Sequence, residues 1–303
     1  TVGSIYAKSY LAPAADAFGA DLNSGLFHTA SVGGVLPFGL NLYIGVKVGA
    51  AIIPSSEKSF NLSYQDTVSM TQGGQTFRVP TTFTTKNAPT IFGSKTAGSA
   101  TFNIDTTING THLSESGSVN TIGGVLQTSI APIPIPQIGL GSIFGTDAFV
   151  RFLPKIKISN YGSLQLFGWG LRHDVGQYIP LIPIDIAVQI AFQNFSIKDS
   201  TGSNLLKSSA FAANVEVSKT FAVLTLYGGL QVESSKVDVN YSYLPNASVY
   251  SNPQPIPVSF SITGKDTFRA ILGFNLGLGP ILINADYSIA SISVVSAGFG
   301  FSI

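Results

Sequence analysis

Apolar and polar residues alternate with a period of two along much of this chain. Phe38, Leu40, Leu42, Ile44, Val46 and Val48 alternate with Gly39, Asn41, Tyr43, Gly45, Lys47 and Gly49. That stretch is about eleven residues, the length a tilted strand needs to cross a bilayer. The same pattern runs through residues 184–192, 211–217, 224–232, 270–278, 281–289 and 295–303. Each is predicted to be a strand. Helical periodicity is nearly absent: only residues 14–22 could make about two turns.

The two faces of these strands decide which way they point. The apolar faces carry no charge, and the opposite faces carry only Lys47, Asp185, Glu216 and Asp286 among many Gly, Asn and Ser. A water-soluble barrel puts its polar face outside, where roughly a quarter to a third of positions should be charged. So sparse a polar face fits a barrel interior behind a lipid-facing apolar wall, since a charge facing lipid near the midplane costs roughly 2–4 kcal/mol. A soluble β-sandwich is the weaker alternative.

Residues 55–117 are rich in Thr, Ser, Asn and Gly, with weak alternation at 76–85 and 100–108. They read as one or two strands carrying long loops, which on such barrels lie on the outer side. The run Pro132-Ile-Pro-Ile-Pro136 is expected to end or kink a strand, because proline lacks the N–H a ladder needs. The segments around Pro180 and Pro183 and around Pro253, Pro255 and Pro257 read as similar breaks. Setting aside about 30 N-terminal residues leaves about 270. At roughly 20 residues per strand and connection these make 12 to 14 strands, and even numbers are the rule. The expectation is one all-β domain, a transmembrane antiparallel barrel of about 14 strands (residues 31–303). A short hatch-like plug precedes it (residues 1–30).

Composition narrows the class further. Only 10% of the 303 residues are charged, 16 Lys and Arg against 15 Asp and Glu, where a soluble domain carries about 25%. Near neutrality without a basic cluster argues against nucleic acid as a partner. Cysteine is absent, so there is no disulfide framework and no thiolate metal site. No run of apolar residues is long enough for a transmembrane helix. A signal peptide is not visible at the start, which is expected either of a protein that is not exported or of a mature chain whose signal has been removed.

Two stretches carry a family resemblance. One runs from Tyr10-Leu-Ala-Pro-Ala-Ala-Asp to Gly25-Leu-Phe-His-Thr-Ala30, then through the first strand to Pro54-Ser-Ser-Glu-Lys-Ser-Phe60. The other runs from Gly145-Thr-Asp through Arg151-Phe-Leu-Pro154, Phe167-Gly-Trp-Gly-Leu-Arg-His-Asp174 and Ile182-Pro-Ile-Asp-Ile186. Together they resemble a family of uncharacterised outer-membrane proteins from the Bacteroidota–Chlorobi group, similar in turn to FadL-type transporters of hydrophobic compounds. The resemblance implies a bacterial outer-membrane location, a 14-stranded barrel, a lumenal hatch and a kinked strand that opens the wall towards lipid. The Asn-Pro-Ala hatch tripeptide of FadL-type proteins is missing, and Leu11-Ala-Pro-Ala14 is a partial echo. Alternating Phe299, Phe301 and Ile303 at the C-terminus form the kind of strand that barrel-assembly machinery recognises.

Chemistry is thinly represented. No Gly-x-Ser-x-Gly elbow occurs, and His28, His112 and His173 are far apart. A His112–Ser114 pair has the spacing for a wall-mounted nucleophile, but so have many Ser positions. Neither an enzyme, a metal site nor a cofactor is expected. The best polar constellation is Asp147, Arg151, Trp169, Arg172 and Asp174. These residues could orient the carboxylate of an amphipathic ligand in the lumen, with Arg as the fork. Ion pairs that tie the hatch to the wall, or brace a turn, are the plainer alternative. Trp169 could instead anchor at the membrane interface, and Tyr241, Tyr243 and Tyr250 read as an aromatic girdle.

The reading that follows is a barrel for passive, fatty-acid-like uptake of hydrophobic small molecules. Its partners would be lipid or lipopolysaccharide and the hydrophobic ligand. The alternative is a structural barrel that holds a surface or envelope protein without transport. A general porin fits less well, since charges of both signs should line its constriction.

Overall fold

A computed structural model describes residues 2–32, 40–72, 74–108, 110–158, 162–243 and 254–303. Phe38, Gly39 and Tyr250 lie outside the described residues. A helix, α1 (Val2–Leu22), comes first. It is followed by β1 (Asn41–Ile52), β2 (Ser59–Gln72), β3 (Gln75–Pro89), β4 (Ser99–Ile108) and β5 (Thr111–Asn120). Next are β6 (Ile130–Ile143), β7 (Thr146–Ile158), β8 (Gly162–Asp174), β9 (Asp185–Lys198) and β10 (Asn204–Phe221). The last are β11 (Leu224–Tyr243), β12 (Ile256–Thr263), β13 (Phe268–Leu278), β14 (Ile281–Ile289) and β15 (Val294–Ser302). The helix exceeds the expected two turns. Its apolar residues follow no helical stripe, and alanines at 7, 12, 14, 15, 17 and 20 favour helix without one.

The chain divides by its contacts into two units, Thr1–Ala14 with Ile53–Ser129, and Ala15–Ile52 with Ile130–Ile303. In the first, β2, β3, β4 and β5 pair in that order as an antiparallel sheet. Gly74 and Gly110 take positive φ at its hairpin turns, and Tyr64 stacks on Phe83 at 5.3 Å. Four strands thus stand where one or two were expected, and they pair among themselves rather than joining a wall.

In the second unit the order is β10-β9-β8-β7-β6-β1-β15-β14-β13-β11, and β11 pairs back onto β10. Ten antiparallel strands therefore close a barrel, and β12 lengthens the sheet by pairing with the far end of β11. The expected 14 strands, or 12, are corrected to ten. The arithmetic assigned residues 53–129 to the wall, and β10 and β11 use 18 and 20 residues each.

The wall is apolar outside and polar inside. Ile44, Val46, Leu140, Val150, Leu171, Val188, Ile190, Val215, Leu230, Leu272 and Ile283 are exposed on it. Their neighbours in sequence point inward, and Lys47, Arg151, Gln193, Glu216, Gln231 and Arg269 are fully buried. Such an inversion suits lipid outside and a polar lumen inside.

The inward glycines make room for aromatic rings rather than for a cavity. A Cβ on Gly45 would lie 2.3 Å from the Tyr43 hydroxyl, and one on Gly170 would lie 2.3 Å from Phe149 Cζ and 2.7 Å from the Ile190 carbonyl. Phe149 is buried and the carbonyl is fixed in the ladder, so neither can give way. Gly170→Ala should cost roughly 1–3 kcal/mol in a urea unfolding titration of the detergent-solubilised barrel.

The barrel's two ends differ. At one, β6–β7, β10–β11 and β13–β14 are joined by two residues each, 144–145, 222–223 and 279–280. The other end carries the connection holding residues 53–129 and the one holding β12. Short turns mark the periplasmic side of outer-membrane barrels and long connections the outer side.

The proline run Pro132, Pro134 and Pro136 lies inside β6, where it was expected to end or kink a strand. These residues pair with Ala50, Val48 and Val46 of β1. Alternate residues of a strand turn their N–H groups to opposite edges, so all three prolines present their missing donors to the β7 side. On that side pairing begins only at Gln137↔Arg151 and runs to Ile143↔Thr146. Beyond it, β7 is bulged between Leu153 and Ile156, at Pro154, and pairs only with β8. A seam thus separates residues 130–136 from 152–158 at the long-connection end.

Candidate functional site

Residues 15–32 thread the lumen from one end of the barrel to the other. Asp16 enters at the long-connection end, accepting a hydrogen bond from the Lys265 backbone N–H at 3.1 Å and pairing with its Nζ at 3.4 Å. At the far end, the Ala30 N–H donates to Ser218 Oγ at 3.0 Å. Between them the thread's carbonyls meet donors from the wall. This meets the requirement that helix-end and loop carbonyls in a lumen find partners.

Arg151 of β7 is the central donor and has no exposed surface (0%). Its Nη1 donates to the Leu22 carbonyl at 3.1 Å and Nη2 to those of Ser24 and Gly25 at 3.0 and 2.5 Å. Its Nε and Nη1 also bond the side-chain oxygens of Gln137 and Gln193. Gln193 donates to the Leu22 carbonyl as well. From the opposite wall, Gln231 Nε2 donates to the Asn23 carbonyl at 2.9 Å. Lower down, Arg172 donates to the Thr29 and Ser31 carbonyls and to Asp147 Oδ2, with Glu216 Oε2 at 3.8 Å. The planar guanidinium with five donors is the side chain best able to gather several carbonyls at once.

Among the five residues singled out from the sequence, Asp147, Arg151 and Arg172 face the lumen and meet the thread or each other. Trp169 does not join them. It alternates with the inward Gly168 and Gly170, points outward and packs on Phe192 at 5.0 Å. Asp174 sits at the strand end, where Oδ1 accepts from the Gln177 N–H at 3.2 Å. The histidines stay apart. His28 neighbours Lys47 at 3.4 Å, His173 bonds Thr146 at 2.8 Å, and His112 pairs with Asp105 in the four-stranded sheet. Among the described residues, no group of three or more His, Asp or Glu is placed to hold a metal.

Sequence reasoning missed a second buried centre. Arg269 Nε and Nη2 form a two-pronged pair with Glu233 at 3.0 and 2.8 Å, and Nη2 also reaches Asp266 at 3.1 Å. Its Nη1 donates to Ser288 Oγ and the Ile292 carbonyl. Glu233 and Arg269 lie at the ends of two alternating runs, and counting faces only within those runs left them out.

Higher in the lumen the lining turns apolar. Leu22, Ile135, Leu166, Phe195 and Ala210 form a buried cluster, with Phe18, Ile133, Leu153, Leu164, Ile197 and Leu206 packed against it. Ile133, Ile135 and Leu153 stand on the two strands that flank the seam. This side of the lumen is lined by apolar side chains, and the two strand segments beside it are each paired on one edge only.

A closed antiparallel barrel, apolar outside and threaded by its own N-terminal segment, belongs with the membrane-spanning β-barrels. The chain itself is a member of the family of unknown function DUF6588, whose model matches residues 3–303. No curated protein matches it. The fold resembles solved bacterial outer-membrane proteins. One is a loop-deletion mutant of OmpT of Vibrio cholerae, at 7% identity and TM-score 0.26, covering 87% of this chain and 99% of that one. Another is the channel DcaP of Acinetobacter baumannii, at 9% and 0.21, covering 90% and 100%. A third is the outer-membrane protease OmpT of Escherichia coli, at 9% and 0.27, covering 90% and 98%. These comparisons lend no support to a FadL-type or Bacteroidota–Chlorobi assignment.

Proposed function

We propose that this is an outer-membrane barrel that passes hydrophobic small molecules sideways, between the apolar lining of its lumen and the lipid, through the seam between β6 and β7. The observation that carries the reading is the seam itself. Prolines 132, 134, 136 and 154 withhold the donors that would zip it, and it opens beside the apolar lining of Ile133, Ile135 and Leu153. The thread fixed by Arg151 and Arg172 closes the straight path, which would otherwise leak polar solutes. A lateral exit suits an apolar cargo, which gains roughly 25 cal/mol per Å² on leaving water for lipid.

The test restores the missing donors. A Pro134→Val/Pro136→Val/Pro154→Val variant can pair across the seam. In reconstituted vesicles its uptake of a fluorescent long-chain fatty acid should fall at least fivefold below wild type, with the folded-band mobility retained. Uptake by the wild type no faster than by protein-free vesicles would overturn the reading. A second reading, a barrel that holds the inserted four-stranded sheet at the cell surface, is favoured by the size of that insertion, Ile53–Ser129. Because the chain lacks cysteine, Gln75→Cys gives a single label at the first residue of β3, beside the hairpin turn that follows β2. It should react with an impermeant maleimide on intact cells. Labelling only after the outer membrane is permeabilised would reverse the orientation.

A further inference from the structure

The outward wall of β7 to β11 changes character over four cross-strand rows towards the long-connection end. The first row pairs Val150, Trp169, Phe192, Phe211 and Ser234 across β7 to β11. Trp169–Phe192 and Phe192–Phe211 are in ring contact at 5.0 and 4.9 Å. This is an aromatic belt of the kind that marks the edge of the hydrocarbon layer. The next row holds Phe152, Phe167, Asn194, Ser209 and Lys236, and the one beyond it Gln165, Ser196, Lys207 and Asp238. The last pairs Lys157, Ser163 and Lys198. Lys155 projects from the bulge of β7. Elsewhere near this end Phe268, Ile289 and Val295 are exposed, and Lys265 is paired with Asp16.

Five lysines are thus gathered just beyond an aromatic belt in a chain with few charges. The acidic groups among them are already engaged. Asp238 is held by Lys236 at 3.0 Å and by Ser261. Asp199 accepts hydrogen bonds from the N–H and hydroxyl of Thr201 and the N–H of Ser203, which hold its carboxyl below the usual range. A cleft of about 630 Å³ opens in this sector, with Phe152 and Phe167 towards the membrane and Lys155, Lys198 and Lys207 on its rim.

We infer that this cleft is a binding site for a phosphorylated lipid of the surrounding leaflet, with acyl chains against Phe152 and Phe167 and phosphate groups on Lys155, Lys198 and Lys207. Apolar floor and cationic rim follow one another in the order of an acyl chain and its headgroup. A Lys near the membrane surface attracts anionic headgroups over about a Debye length. Several such point charges suit a lipid with more than one phosphate. The inference rests on the outer-membrane placement proposed above, in which this end faces the leaflet of phosphorylated glycolipid. It does not depend on passage through the seam, so a Pro134→Val/Pro136→Val variant, which leaves β7 and its bulge unchanged, should bind the lipid as the wild type does.

The experiment is native mass spectrometry of the full chain in a non-ionic detergent with bisphosphorylated lipid A added. The wild type should carry a lipid adduct. A Lys155→Ala/Lys198→Ala/Lys207→Ala variant should need at least tenfold more lipid for the same occupancy, while Lys219→Ala, at the opposite end, should match the wild type. Monophosphorylated lipid A should bind more weakly than the bisphosphorylated form. The substituted side chains lie on the outer surface, and retained folded-band mobility checks that the barrel is intact. Equal occupancy in the triple variant would overturn the site, as would equal binding of phosphatidylethanolamine. Displacement by millimolar inorganic phosphate would assign the lysines to a soluble anion instead.

Discussion

Arg151→Met should turn a silent barrel into a conducting one. The substitution leaves the carbonyls of Ser24 and Gly25 and the side-chain oxygen of Gln137 without the donor that meets them in the lumen, and leaves the Leu22 carbonyl to Gln193 alone. Each buried group so stranded costs roughly 1–3 kcal/mol, and the thread escapes that cost by leaving its place and letting water in. In planar bilayers the wild type is expected to show no steady current, and the variant to show discrete openings at the same protein density. Its urea midpoint should fall with a loss of at least about 3 kcal/mol. Arg151→Lys should behave much as Met does, because one ammonium cannot reach three carbonyls and two glutamines in the plane of a guanidinium. A silent Arg151→Met barrel would show that the remaining contacts hold the thread unaided.

Arg269→Met should be as damaging to stability but by a different route. Removing the only cation of the cluster leaves Glu233 and Asp266 facing each other without a counter-charge in a buried site. Breaking a buried pair in this way costs about 3–5 kcal/mol. Adding Glu233→Gln and Asp266→Asn to the same chain removes the stranded charges and should recover at least half of the loss. Equilibrium unfolding of the three proteins in one detergent tests both statements. No recovery in the triple variant would mean that Arg269 acts through shape and its bonds to Ser288 and Ile292 rather than through charge.

The two centres differ in how visible they were beforehand. The alternation around Lys47, Glu216 and Asp286 gave away a polar interior and a lipid-facing wall, because a period of two needs no tertiary information. Arg151 and Arg172 stood out as charges in a charge-poor chain, but nothing local tells an arginine aimed at a ligand from one aimed at a backbone carbonyl. Trp169 between two glycines looked like part of the same group until the register set it on the outer face. The strand count failed at residues 53–129, whose Thr-rich strands pair with one another. Period alone does not say which sheet a strand joins. The proline run of β6 was legible as a defect. That the defect is confined to one edge follows only from knowing that β1 lies on the other.

Closure of this ring has a consequence for how the molecule is made. β1 opens the wall and β15 ends it, and the two pair from Tyr43↔Ser302 to Ala51↔Val294. That is nearly the greatest sequence separation the chain allows, and contacts of this kind carry the slowest kinetics because loop closure comes before any reward. Residues 15–32 leave the ribosome before every strand of the wall, yet their partners on β7, β9 and β11 are not fixed in place until the last strand docks. The ring therefore has to shut around a guest already inside it. A defect in that segment would be felt first as a slow or failed assembly, and only afterwards as a weaker barrel.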